Sequence, residues 1–312
     1  MPLQFGRSAY IALGTESTYG FPVATPVKNR VYSVSMTRSQ ERERTTHLSQ
    51  SGAAFAVNTF DGFEVSGGSI EIPMVYKGIG MLFEAALGSS ASAAAGAVFL
   101  HTYTAIADLP SLTIDVQRGT GSSEKFEGCM VSTMSISCEA GGEARASFEI
   151  IAETAAARAA ALGTPTFGDG PQVFHFQSST LSYNSLVYKM RSMELTLDNK
   201  LERVNYLGSK LTSQPQISDV REVTLTATMD LEDNNLYNSQ ISGTSSNVEV
   251  TFTSGTNIFN ILLRNCEITS YEDSVNSFGR IERTVTFFGI SGASNEAIRI
   301  EVTNDNASAV SN

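Results

Sequence analysis

The chain has 312 residues, 41% of them hydrophobic, which suits one large domain or two of about 150 residues with real cores. A formal charge of −11 without any basic block excludes a groove that grips phosphates, because such grooves need clustered Lys and Arg. No run reaches the roughly 18 consecutive apolar residues of a membrane span, and three cysteines without paired spacing exclude a disulfide framework or zinc motif.

In chain order, residues 1–29 read as an N-terminal arm carrying the first strand, and a first structural unit follows over 30–153. The polar stretch from Arg38 to Phe60, "RSQERERTTHLSQSGAAFAVNTF", reads as a long loop between two strands. Loops of that length inside a compact domain are usually functional. Its charged run Glu41, Arg42, Glu43 and Arg44 is the candidate for contacts between subunits. "FEVSGGSIEIPM" alternates through Phe63 and Val65, then changes phase to Ile70, Ile72 and Met74. A β-bulge at Gly67–Gly68 is expected to absorb that change. Ile79, Leu82, Phe83, Ala86 and Leu87 follow the stripe of an amphipathic helix. The Gly/Ala/Ser-rich piece over about 86–107 reads as an inserted loop. Gly128–Glu153 is a hairpin pattern turning at "EAGGEA".

Residues 154–186 read as a linker, and a second unit spans 187–290. "SMELTLD" places Met193, Leu195 and Leu197 on one face, and a second long loop over 198–219 carries Glu202 and Arg203, further candidates for contacts between subunits or rings. Strict alternation from Glu222 to Met229 marks a half-buried strand, with Thr224, Thr226 and Thr228 on the wet side. A short helix through Leu236, Tyr237 and Ile241 is expected, with Asp230 or Asp233 as its cap. "NVEVTFT", a hairpin over Asn265–Ile290 and a C-terminal arm over 291–312 complete the chain.

The two units repeat. Cys129 and Cys266 lie 137 positions apart at the same point of two hairpin patterns. Val31–Tyr32 returns at Val187–Tyr188, "ERTTHL" from Glu43 returns as "ERVNYL" from Glu202, and Glu64–Val65 returns at Glu222–Val223. These earlier anchors are offset by 156, 159 and 158, so the first unit carries about 21 extra residues before its hairpin. A repeat longer than 100 residues is a duplicated domain, not a solenoid unit. The fold expected is mainly β: two tandem, similar antiparallel sandwiches or barrels, each with a short flanking helix and a long loop.

Catalytic and metal patterns are missing. His47, His101 and His175 fall in no metal spacing, and no Walker, dinucleotide or G-x-S-x-G pattern occurs. Asp230, Glu232 and Asp233 suit a helix N-terminus better than calcium, because the twelve-residue loop with its glycine and final Glu is missing. "NAS" at Asn306 fits a glycosylation acceptor, but no charged region followed by an apolar stretch opens the chain, so a reducing cytoplasm without export is expected. No enzyme and no cofactor are expected. A surface module for carbohydrate or a receptor is the reading from another class, but the chain has no Trp and its Tyr residues are scattered.

"YIALGTESTYGFPVATP" (Tyr10–Pro26) and "VSGGSIEIPMVYKGIGMLFEAALG" (Val65–Gly88) resemble the corresponding segments of major tail tube proteins of long-tailed, siphophage-type bacteriophages. The resemblance implies a sandwich or barrel with a flanking helix, stacked rings, and a channel through which DNA is ejected. With a duplicated domain it implies three subunits per ring and pseudo-six-fold symmetry. Implied partners are further copies of the chain, a tape measure protein in the lumen, tail terminator and distal tail proteins at the ends, and DNA in transit without specific binding. The implied place is the virion tail, assembled in the host cytoplasm without membrane insertion. A terminator or adaptor on the same fold is the neighbouring alternative. The arms are expected to add strands to neighbouring subunits.

Overall fold

Alternating apolar and polar side chains fill this sequence, and the computed structural model answers them with strands. It describes residues 6–45, 58–167, 172–275, 278, 280–291 and 296–310. The first half contains β1 (Tyr10–Thr15), β2 (Val27–Asn29), β3 (Ser33–Val34), β4 (Thr37–Thr45), β5 (Asn58–Pro73) and α1 (Gly80–Leu87). It continues with β6 (Gly88–Ala95), β7 (Val98–Ala105), β8 (Leu112–Arg118), β9 (Ser122–Glu139), β10 (Arg145–Ala152) and β11 (Thr154–Ala155). The second half contains β12 (Ser179–Tyr183), β13 (Leu186–Tyr188), β14 (Met190–Asp198), β15 (Leu201–Val204), β16 (Ser213–Ile217) and β17 (Glu222–Asp230). After it come α2 (Asn235–Ser242), β18 (Ser246–Ser254), β19 (Asn257–Ser274), β20 (Glu282–Gly289) and β21 (Ile298–Asn304).

Eight of these strands make one antiparallel wall in the order β4–β5–β10–β9–β14–β17–β20–β19. The order is one four-strand pattern used twice: a first strand, a second strand, the closing strand of the hairpin, then its long strand. Behind the wall lies a second layer, β2–β1–β8–β9–β11 in the first half and β13–β12–β18–β19–β21–β7–β6 in the second. The long strands β9 and β19 therefore belong to both layers.

Each long strand changes layer at the Cys. Gly128 (φ 62) and Asn265 (φ 50) stand in the left-handed region immediately before Cys129 and Cys266. Glycine reaches that region freely, and Asn is among the few other residues that visit it routinely. Three positions after each Cys, Ser132 and Thr269 are extra residues bulged out of the ladders with β10 and β20. A bulge sharpens the local twist and bends the strand. Turn, thiol and bulge all recur at the interval of 137 seen in the sequence.

The structure departs from the sequence reading at several points. The expected loop after Arg38 is the ribbon β4–β5, so Glu41 to Arg44 lie in a strand; residues 46–57, with His47, lie outside the described residues. No bulge interrupts the β5–β10 ladder at Gly67–Gly68. The strand keeps one phase, turning Glu64, Ser66, Ile70 and Ile72 inward and leaving Phe63 and Val65 exposed. The two glycines serve close approach instead: a Cβ at Gly67 would lie 2.2 Å from the Ile150 carbonyl oxygen, and one at Gly68 2.4 Å from that of Ser35. The ladders match β5 to β17 at an offset of 157, so pairing Glu64 with Glu222 is wrong by one residue, which reverses the faces. The insertion is the hairpin β6–β7, attached to β21 of the second half. Strands β1 and β21 are paired on both sides within the chain, so neither is left to add to a neighbour.

Among the described residues two separate cores are not found either. The buried apolar residues of both halves form one continuous core. Helix α1 lies inside it, apolar nearly all round, with Phe83 stacked on Phe259 of the second half at 5.8 Å and edge-on to Tyr103 at 5.6 Å. Helix α2 buries only Leu236; Asp233 accepts a hydrogen bond from the Asn235 backbone N–H at its start.

Candidate functional site

The strands that form the wall turn their apolar side chains into the core and leave a face of Ser, Thr and carboxylates. On β17, Val223, Leu225, Ala227 and Met229 are buried, while Thr226 and Thr228 point outward and meet Thr286 and Thr284 hydroxyl to hydroxyl at 3.2 and 3.4 Å. Across the face, Ser135 stands opposite Thr196 and Ser147, and Ser137 opposite Glu194. Such rows of hydroxyls satisfy one another and water, and offer no apolar foothold.

Charge on this face is mainly negative. Lys200 holds Asp198 at 2.9 Å and Glu222 at 3.0 Å, Arg145 holds Glu71 at 3.3 Å, and Arg191 and Arg280 hold Asp230 at 2.8 and 3.1 Å. Burial works against the charged form of Asp198 and Asp230, but hydrogen bonds from Lys200, and from Arg280 and Arg191, bring both below the ordinary carboxylate range. Glu139, Glu149 and Glu194 have no ion-pair partner among the described residues.

The wall ends in two open edges. Among the described residues β4 pairs only with β5, and the last part of β19 pairs only with β20. A bare edge is a template for another strand. The exposed run Glu41, Arg42, Glu43 and Arg44 stands on the first of these edges. Further back, Glu64 is 1% exposed and is held by Arg38 at 2.8 Å and Thr154 at 2.5 Å. Its burial alone raises the pKa; the hydrogen bonds from Thr154, Arg38 and Ser66 outweigh that and lower it.

Between the halves the same kind of edge is already filled. β14 pairs with the last part of β9, Thr196 opposite Ser135 and Leu195 opposite Ile136. The ribbon β15–β16 then lies over the first half. There Arg203 donates to the carbonyls of Ser66 and Ala152, and burial lowers its pKa. Asn199 donates from its amide nitrogen to the Ala86 and Val131 carbonyls, both at 2.9 Å, and Arg221 donates to those of Ile106 and Ala86. Burial pulls Arg221 down to about 10. So Arg203 makes contacts inside its own chain, and Glu202 stands beside it on β15. Nothing in the sequence pattern singled out Asn199 or Arg221; the one signal was a polar residue directly after an alternating strand.

No group of three or more His, Cys, Asp or Glu among the described residues is placed to hold a metal. Burial pushes the Cys266 thiol up to about 12 and raises that of Cys129 as well, so neither is a nucleophile at neutral pH. His101 is buried between Ser92 Oγ and Asn304 Oδ1, tying β7 to β6 and β21.

A polar face lined with carboxylates, on a wall with two open edges, is the geometry of something that assembles. The family model of the phage tail tube protein matches residues 6–303. The chain belongs to the phage tail tube protein family. It is a structural subunit of a phage tail, built to associate with its own kind and with other tail proteins into a tube. No match to an individual curated protein accompanies the family match. No helix among the described residues of this tube protein is long and apolar enough to cross a membrane.

Proposed function

We propose that three copies of this tube protein close head to tail into a ring, that rings stack into a siphophage-type tube, and that the Ser/Thr and carboxylate face lines the channel through which DNA is ejected. One observation carries the reading. The strand order β4–β5–β10–β9 is repeated as β14–β17–β20–β19 within one wall that is open at both ends. A surface that repeats its own pattern and ends in complementary edges makes heterologous contacts, and these close when the rotation per step divides a full turn. Two repeats per chain and three chains give six equivalent steps.

On this reading the chain is a duplicated tube domain, with units over 30–153 and 187–290; the linker over 154–186 also supplies β11 and β12 to the second layer. Equal intervals of 137 for turn, Cys and bulge support the duplication. The unpaired carboxylates repel phosphate, so DNA slides without sticking. The lumen takes a tape measure protein before DNA, and terminator and distal tail proteins close the tube's ends; assembly takes place in the host cytoplasm. Native mass spectrometry together with electron microscopy tests the ring. Expected are a species of three 33.4 kDa chains and annular or tubular particles. A chain that stays single at high concentration, or rings of another number, overturns the proposal.

A further inference from the structure

We infer that the joint inside the chain is the template for the joint between chains. The partner is a second copy, met in a fixed register with Arg44 as its anchor. The inference rests on the ring reading above and adds what that reading leaves open: which residues face each other.

The ladders define the correspondence between the halves. Their pairing sets β9 and β10 against β19 and β20 at an offset of 137, and β5 against β17 at 157. The β4–β5 and β14–β17 ladders then set β4 against β14 at 159. Ser135 opposite Thr196, in the joint already made, becomes Glu272 of one copy opposite Thr37 of the next. Met134 opposite Leu197 becomes Tyr271 opposite Arg38. Beyond the ends of these ladders the sequence keeps the same interval of 159, Glu43–Arg44 against Glu202–Arg203, so Arg203 corresponds to Arg44. The carbonyls it holds, those of Ser66 and Ala152, correspond to those of Val223 and Gly289.

Burial supports the same occupant independently. Ile241 on α2 is 70% exposed and Val275, just after β19, is 73% exposed. Their counterparts in the first half, Ala86 at 0% and Cys138 at 6%, are covered, Ala86 with its carbonyl held by Asn199 and Arg221 of the second half. What covers the first half is the β14–β16 region. What is left to cover the second half of one chain is the matching β3–β5 region of another. Ser35, Thr37 and Ser39 then continue the hydroxyl rows of the channel face, and Met36 and Arg38 turn toward the interior of the joint.

Cysteine pairs test the register in assembled protein. The in-chain pair Ser135→Cys with Thr196→Cys is the positive control, because it has the same local geometry. Thr37→Cys with Glu272→Cys is expected to oxidise into covalent chains of three under the conditions that close the control, and Thr37→Cys with Ser270→Cys, slipped by two residues, is not. Wild type, whose cysteines are buried, supplies the background. Arg44→Ala is expected to raise the concentration needed for rings about tenfold, the loss of a charge-assisted hydrogen bond, with the monomer's circular dichroism unchanged. Arg42→Ala is expected to leave that concentration unchanged. Rings that crosslink only through the slipped pair, or through neither, overturn the register while leaving the ring standing. A wild-type chain that forms no rings overturns both.

Discussion

At the scale of single residues, the position before each layer-crossing Cys decides whether the long strand can serve two layers. Gly128 stands at φ 62, and a Cβ there would lie 2.8 Å from Glu153 Cβ and 3.0 Å from the Tyr19 ring. Gly128→Ala is therefore expected to cost the left-handed penalty of about 1–2 kcal/mol plus a clash, about 2–4 kcal/mol in all. Asn265 has the same backbone at φ 50, so Asn265→Gly is expected to be neutral or stabilising by less than about 1 kcal/mol. Urea midpoints of the two variants give the comparison, and equal effects would refute the role of the turn. Near this corner Glu153 is raised by burial, then by the charges of Glu16 and Glu127. A carboxylate raised in the folded state favours folding below its unfolded pKa, about 4.3, and loses that contribution as pH rises through the folded value. Glu153→Gln should thus raise the melting temperature at pH 8 and leave it nearly unchanged at pH 4. Solvent screening keeps the gain below about 1 kcal/mol. A drop at pH 8 would contradict the account.

Among the elements, those with one wet and one dry face were legible in the sequence. β14, β17 and β18 announce themselves by strict alternation, α1 by its stripe, and the β9–β10 and β19–β20 hairpins by their turns. β6 announced nothing: "GSSASAAA" has low β-propensity and no alternation, and it becomes a strand because β7 presents an edge to it. The ribbon β4–β5 was hidden by its charges, since both its faces meet solvent near the tip. Glu64 broke the pattern because a buried carboxylate with its own hydrogen-bond donors can occupy an inward position. The open edges were invisible, because a strand's own residues do not say whether another strand lies beside it. The β6–β7 hairpin is a structural tie, and Tyr103 is the residue that tests it. Tyr103 is 1% exposed, packs on Phe83 and donates to the Ala309 carbonyl at 2.7 Å. Tyr103→Ala is expected to cost about 3–5 kcal/mol and Tyr103→Phe about 1 kcal/mol. Both values follow from chemical denaturation, and a loss below about 1 kcal/mol for the alanine variant would mean the hairpin is dispensable.

For the whole molecule, the single core and the charged wall together separate stability from function. One core shared by both halves means that the wall's dry side holds the chain together, so the residues of its wet side are not fixed by packing. Glu139, Glu149 and Glu194 lie on that wet side and hold no cation among the described residues. Changing all three to Lys replaces no buried contact, so rings and tubes should form as before, seen by electron microscopy. If this face lines the channel as proposed, the potential there is reversed where nothing balanced it, and phosphates then find clustered cations. At about 50 mM salt, short DNA fragments should bind the variant tube and should not bind the wild-type tube. That binding should weaken steeply between about 50 and 200 mM, as counterion release requires. Wild-type tubes that bind DNA with the same salt dependence would show that the carboxylates do not keep the channel clear. A variant tube that still ignores DNA would show that this face does not line the channel.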